Sequence, residues 1–249
     1  MGALSREEGR ALRRQRTVAW LTALLWVPAA AAVMRFAMGW RIEDAEPLRR
    51  LYARLRRETD GPLLVCANHL TLVDSFLVAR ALGNPLFFLR DFDGLPWNVP
   101  ERANFATSWW SRLAIYLMKC VPISRGSARR EVARVLARVS ALLGEGQVVL
   151  LFQEGGSGRN DRVRVDDAAH GVGRIVASLP GCRVLCVYLR GEGQTRWSDF
   201  PRRGERFHVR AELLEPKTDL HGLRGSLDLS RQILLKLAEL ERRHFDDRQ

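Results

Sequence analysis

Three uninterrupted apolar runs constrain this chain more than any other feature. PLLVCA (residues 62–67), QVVLLF (147–152) and RVLCVYL (183–189) are short and almost free of charge, and the first is opened by Gly61-Pro62. Runs of this length without polar alternation read as buried strands. Between them lie segments with a helical period. Residues 74–82 carry Phe76, Leu77 and Ala81 before the Gly83-Asn84-Pro85 stop, and residues 128–143, ARREVARVLARVSALL, are amphipathic and closed by Gly144. Residues 43–59 place Leu48, Leu51, Tyr52 and Leu55 on one face, and residues 171–179 and 227–245 read as further helices. LFFLRDFDGLPWNVP (86–100) reads as a short strand ending in a Gly and Pro-rich loop. Residues 105–118 read as an apolar, aromatic helix, KCVPISRG (119–126) as a short strand that delivers Arg125 to its end, and residues 207–213 as another strand. Strands alternating with helices predict an α/β fold with a mixed, largely parallel sheet flanked by helices. A chain of 249 residues, 47% apolar, is long enough to bury the core of one such domain.

The N-terminus adds a second class of signal. Arg10, Arg13, Arg14 and Arg16 precede TVAWLTALLWVPAAAAVM, which runs without a charge from residue 17 to 34. As a helix this run is roughly 27 Å long, slightly under the ~30 Å of a bilayer core. Pro28 interrupts it, Trp20, Trp26 and Trp40 suit a headgroup boundary, and the arginines hold the N-terminus on the cytoplasmic side. The expectation is therefore a basic segment and membrane anchor over residues 1–44, either spanning or monotopic, and a catalytic domain over 45–249 on the cytoplasmic face of the inner membrane.

The net charge is +12, and apart from Lys119, Lys217 and Lys236 every basic side chain is arginine. Biased codon usage explains that skew, as does selection for forked contacts to phosphate or carboxylate. The surface attracts anions, so anionic lipid, nucleic acid and acyl-carrier protein are all candidates by charge. The arginines lack the aromatic interleaving of a single-strand binder and the spacing of a groove-reading helix, so no nucleic-acid partner is expected. Cys66, Cys120, Cys182 and Cys186 form no C-x-x-C pair, so no zinc site and a reducing compartment are expected. No metal motif or dinucleotide fingerprint occurs, and GGSGR misses the G-x-S-x-G nucleophile pattern, so neither a cofactor nor a serine nucleophile is expected.

Polar residues gather where strands end. Asn68, His69 and Asp74 follow PLLVCA; Ser124 and Arg125 follow CVPI; Glu154, Gly155, Gly156 and Arg159 follow QVVLLF. In open α/β sheets the carboxyl ends of strands share one crevice, so these groups converge. His69 and Asp74 are five apart, about 140° round a helix, so a helix alone does not join them. Placing His69 in a strand-to-helix turn, with Thr71 as the cap and Asp74 at the third helical position, lets the imidazole fold back on the carboxylate. Such a pair fixes the tautomer of a general base. A histidine that merely caps the helix is the plainer alternative. Arg125 suits an anion, and Glu154 stands beside glycines whose N–H groups can approach a ligand.

These residues resemble a family. NHLTLVD matches the N-H-x4-D first motif of the glycerolipid acyltransferases, which include the bacterial lysophosphatidic acid acyltransferases. CVPISRG is similar to their second motif, FQEGG to the third, usually Phe-Pro-Glu-Gly-Thr-Arg, and VLCVYLRG to the fourth, all in order over residues 61–192. The resemblance implies His69 as general base, Asp74 as its holder, and Arg125, Glu154 and Gly155 as acceptor-binding residues. It further implies acyl transfer from acyl-CoA or acyl-carrier protein to a lysophospholipid hydroxyl, most directly 1-acylglycerol-3-phosphate, giving phosphatidate at a membrane. Gln153, Ser124 and Cys186 depart from the usual Pro, Asp and Pro. Ser157 stands at the third-motif Arg position, with Arg159 two residues later. The departure leaves two acceptors open: a phosphate clamped by Arg125 and Arg159 through the flexible 155–158 run, or another lyso-lipid lacking that phosphate. A basic, non-catalytic membrane or nucleic-acid adaptor is the competing class.

Overall fold

The computed structural model describes residues 4–58, 60–102, 108–124, 128–152, 162–165 and 170–248. Its six-stranded sheet comprises β1 (Arg41–Glu43), β2 (Leu63–Ala67), β3 (Trp97–Asn98), β4 (Val149–Phe152), β5 (Arg183–Gly191) and β6 (Arg206–Leu214), in the order β1-β6-β5-β2-β4-β3. Only the β5–β6 pair is antiparallel. The helices are α1 (Arg6–Ala32), α2 (Ala45–Arg57), α3 (Asp74–Leu82), α4 (Pro85–Arg90), α5 (Trp109–Leu117), α6 (Arg129–Gly144), α7 (His170–Ala177) and α8 (Gly222–Asp246). The expected fold class is the one found.

The apolar runs are explained by two covered faces. Successive side chains of a strand point to opposite sides, so Val65 and Ala67 of β2 meet α2 and α3 through Leu55, Leu77 and Ala81. Leu64 and Cys66 meet α6, α7 and α8 through Val139, Ile175 and Leu237. Every residue of β2 and β5 is buried, and each buried Leu, Val or Ile contributes ~1.5–3 kcal/mol. The helices on the second face sit close because Gly173 permits it: a Cβ there would lie 1.7 Å from the Ser226 carbonyl.

α1 closes the open side of the sheet. It starts in a Ser5/Glu8 capping box and places Leu12 in one core layer and Ala19, Ala23 and Val27 in the other. Between them Gln15 Nε2 donates to the carbonyls of Tyr116 (3.1 Å) and Cys120 (3.0 Å), and Arg16 grips Asp93 with two bonds of 2.7 and 2.6 Å. The outer edge of β3 is paired by residues 119–123, and Gln15 takes the outward Cys120 carbonyl of that segment. After α1 a π-helical turn, Val33–Ala37, leads into β1, so residues 1–44 also contribute an edge strand.

Two local expectations are corrected. Residues 86–90 form helix α4 rather than a strand, because Asn84 caps it by accepting from the Phe87 N–H (2.8 Å) and Pro85 takes the first helical position, where its missing N–H costs nothing. Residues 119–124 form only isolated bridges, Asn98 with Cys120 and Glu101 with Ile123, since Pro100 has no N–H to give the Val121 carbonyl between them.

The approach to this edge is held by a buried cation. Lys119 Nζ donates to the carbonyls of Phe92 (3.0 Å) and Leu95 (2.6 Å) and lies over the Phe92 and Trp97 rings. Burial pulls the Lys119 ammonium down from 10.5 to about 7, with the Asp93 carboxylate opposing. Between pH 7 and 9 the unfolded chain therefore binds the proton more fully than the folded one, so this group makes stability rise with pH. From above about pH 8 the buried thiols, pushed up to about 12 in Cys120, Cys182 and Cys186, oppose and then reverse the trend, because unfolded thiols ionise first. Urea denaturation in detergent should show the rise from about pH 7 to 8. Lys119→Met should remove it and lower stability by about 2 kcal/mol or more, through two orphaned carbonyls.

Candidate active site

β2 hands the chain to a turn that side chains build. Asn68 is buried; its Nδ2 donates to the Leu189 carbonyl (3.0 Å) and its Oδ1 accepts from the Leu189 N–H (2.8 Å). The amide thus imitates one more step of the β2–β5 ladder while the backbone turns away to His69. Asp74 then gathers the turn. Its Oδ2 accepts from His69 Nδ1 (3.1 Å) and from the N–H groups of Leu70 and Thr71, and its Oδ1 accepts from Thr71 Oγ1 (2.6 Å). Only 4% of Asp74 is exposed, so the charge is compensated almost wholly by these donors and by the N-terminus of α3.

The detail differs from the expected cap. Val73 occupies the N-cap position and Asp74 is the first helical residue rather than the third. Thr71 Oγ1 accepts from the Val73 N–H but is donated to Asp74, so the hydroxyl closes the turn instead of capping the helix.

A carboxylate can only accept, so the shared proton is assigned to His69 Nδ1, which in a neutral imidazole leaves the lone pair on Nε2. The ring stacks on Phe152, with centroids 4.5 Å apart and planes 28° from parallel. Phe152 ends β4 in register with Ala67 of β2, which brings it beside the next residues of β2. The imidazole is held between a carboxylate and an aromatic face, an arrangement with the chemistry of a general base.

A further wall comes from the β5–β6 connection. Thr71 bridges Ser198, the Ser198 N–H donates to the Leu70 carbonyl (3.1 Å), and the Leu72 N–H donates to the Asp199 carbonyl (3.2 Å). No motif in residues 192–203 announces this contact. The backbone conceals it because the pairing is between main-chain groups, which any side chains permit.

Arg125, Glu154, Gly155, Gly156 and Arg159 lie outside the described residues. Beyond them, Val163 N–H donates to Glu241 Oε2 (3.2 Å) and the Arg162 guanidinium lies 3.9 Å from the Phe245 ring centroid. Arg190 of the fourth motif is buried at the end of β5; its Nε donates to the Gln194 carbonyl and its Nη1 to Tyr188 Oη, which in turn donates to Glu241. Burial raises the Glu241 carboxyl, against the Val163 N–H and the Tyr188 hydroxyl. Burial also pulls the neighbouring His244 imidazole down to about 4, aided by Arg248 and by His208. The four cysteines are free, and burial raises every thiol, so none is a thiolate nucleophile at neutral pH. Among the described residues no group of three or more His, Cys, Asp and Glu side chains converges as a metal site would.

Comparison with protein families matches residues 39–190 to a family described as Acyltransferase. The match begins just before β1 and ends within β5, and it takes in the whole His69 turn. Comparison with curated proteins gives no match.

Removing the carboxylate should damage the turn far more than removing the imidazole. Asp74→Ala strands the Leu70 and Thr71 donors in a buried site, at about 1–3 kcal/mol each, so a loss of about 3 kcal/mol is expected. His69→Ala forfeits the bond to Asp74 and the stacking on Phe152, about 1 kcal/mol each, without stranding those backbone donors. Thermal unfolding of the two variants in detergent distinguishes them; equal losses would contradict the assigned hydrogen bonds.

Proposed function

The chain belongs to the acyltransferase family, that of the glycerolipid acyltransferases, and is an acyl-transferring enzyme; from that premise we propose that it is a membrane-bound O-acyltransferase acting on a lyso-lipid. The donor is acyl-CoA or acyl-carrier protein and the acceptor a lysophospholipid, most directly 1-acylglycerol-3-phosphate, giving phosphatidate. The observation that carries this reading is the His69–Asp74 pair, an imidazole whose Nδ1 is engaged and whose ring is fixed. His69 Nε2 takes the acceptor hydroxyl proton as the oxygen attacks the thioester carbonyl. The tetrahedral intermediate then collapses, the C–S bond breaks, and the departing thiolate takes the proton back from the imidazolium. Asp74 stabilises the imidazolium meanwhile. N–H groups of the 155–158 run are the proposed oxyanion donors. Arg125, Glu154, Gly155, Gly156 and Arg159 are the proposed acceptor-binding residues. With an enzyme family established, the non-catalytic adaptor is set aside.

Membrane attachment is supported by an inversion in α1. Its packed side carries the small residues Ala19 and Ala23, while Leu24, Leu25 and Phe36 in the following turn are 70, 77 and 79% exposed. A soluble helix buries its large apolar residues, so the outward face suits lipid. α1 packs against α4 and α5, whose Leu86, Trp109 and Trp110 are exposed as well. Because α1 is docked on the core by Ala19, Ala23 and Val27, it cannot cross a bilayer while those contacts hold. We therefore favour a monotopic attachment through residues 1–44, with residues 45–249 catalytic and the protein on the cytoplasmic face of the inner membrane.

The second acceptor, a lyso-lipid without phosphate, stays open on one observation, Ser157 at the family's arginine position. One assay of kcat/KM tests both. His69→Ala should lower transfer by about 10²–10⁴, and Asp74→Asn nearly as much. Arg125→Ala and Arg159→Ala should each cost about ten-fold with lysophosphatidate. Equal rates for lysophosphatidate and a phosphate-free analogue in the unmodified enzyme would select the second acceptor, and a His69→Ala enzyme retaining a tenth of its activity would refute the base.

Truncating α1 would also uncover the sheet edge, so attachment is better tested on its outer face. The triple change of Leu21, Leu24 and Leu25 to serine should release the protein from vesicles while its unfolding temperature in detergent is kept. Unchanged flotation with vesicles would exclude that face as the anchor.

A further inference from the structure

A second cavity, away from the catalytic turn, is lined by positive charge. Arg35 of the π turn, Arg41 of β1, Arg49 of α2 and Arg80 of α3 border a space of about 320 Å³ whose one lining carboxylate is Glu43. None of the four arginines forms an ion pair among the described residues. Arg49 Nε and Arg80 Nη1 are buried atoms with no hydrogen-bond partner, although Arg49 Nη2 donates to the Arg80 carbonyl (3.2 Å). An orphaned, buried guanidinium N–H is costly, and most such groups in folded proteins are satisfied. Burial, then Arg49, then Arg35, lowers the Arg80 guanidinium from its ordinary value, the sign of like charges crowded together.

The neighbouring space has the opposite character. Trp26, Ala30, Phe76, Ala79 and Phe88 line an apolar cavity of about 60 Å³ between α1 and α3, and Met34 and Arg80 border both cavities. A basic chamber therefore adjoins an apolar one at the end of the helix whose outer face suits lipid. That is the division of a phospholipid into an anionic head and a hydrocarbon tail.

We propose that these adjoining cavities bind an anionic phospholipid, its phosphate held by Arg49 and Arg80 with Arg35 and Arg41 around it, and the first part of its chain between α1 and α3. No residue of the His69–Asp74 turn lines the basic cavity, and Arg80 follows Asp74 by six residues on the same helix, about 9 Å along its axis. The inference does not rest on the acyl-transfer reading, since His69 takes no part in it.

The test is binding to the detergent-solubilised full chain, by calorimetry, of three probes: inorganic phosphate, a short-chain phosphatidylglycerol, and phosphatidylcholine of the same chain length. Phosphatidylglycerol should bind at least ten-fold tighter than phosphatidylcholine and than inorganic phosphate. Arg49→Gln with Arg80→Gln should weaken phosphatidylglycerol at least ten-fold while raising or preserving the unfolding temperature without ligand, because a repulsion is relieved. Ala30→Phe, which fills the apolar chamber, should weaken the lipid but leave inorganic phosphate unchanged, and it serves in place of the double variant if that fails to fold. His69→Ala should bind as the unmodified chain does, so a failure of the catalytic reading leaves this result untouched. Inorganic phosphate binding as tightly as the lipid would overturn the lipid in favour of a free phosphate. Phosphatidylglycerol affinity unchanged in both the arginine and the Ala30 variants would overturn the site.

Discussion

The turn that carries His69 depends on one buried carboxylate. Asp74 accepts from an imidazole, two backbone amides and a hydroxyl, all within residues 69–71. Charge-assisted bonds of this kind are stronger than neutral ones, and together they offset the cost of removing the carboxylate from water. The same atom, Oδ2, that fixes the turn also orients His69. Conformation and proposed chemistry are thus held by a single group, and the Asn68 amide on one side and the Ser198–Asp199 main chain on the other leave the turn little room to relax.

The sheet supplies the frame for that turn through register. Val65 faces Leu150 on one side and Leu185 on the other, so the carboxyl ends of β2, β4 and β5 arrive together. Phe152 reaches the imidazole by this alignment alone. A slip of one residue would send it to the opposite face. The edge beyond β4 is short, and its integrity relies on groups remote in sequence: Lys119 on the Phe92 and Leu95 carbonyls, Trp97 Nε1 on Gln147 (3.1 Å), and the Arg16–Asp93 pair from α1.

α1 joins these themes. Its inner face completes both core layers and its outer face is apolar, so the helix that stabilises the sheet edge is the same one proposed to meet lipid. Association with a membrane and integrity of the fold are consequently not separable by deletion. The π turn that follows it carries Arg35 to the basic chamber shared with Arg41, Arg49 and Arg80.

What the amino-acid sequence determined by itself was local. Apolar runs marked β2, β4 and β5 because burial on both faces leaves no place for a polar residue. The His69–Asp74 pairing was legible because five residues in a turn leave few other places for the two side chains. Helix α4 is not legible in its own residues, since LFFL suits a strand as well as a helix and the decision lies in the Asn84-Pro85 cap before it. Other features were decided only by tertiary structure: Phe152 against His69, residues 198–199 against the turn, Gln15 and Arg16 across the β3 edge, and four arginines around one cavity. In each case the partners lie far apart in the chain, and their meeting is set by strand register and helix packing, which periodicity does not encode.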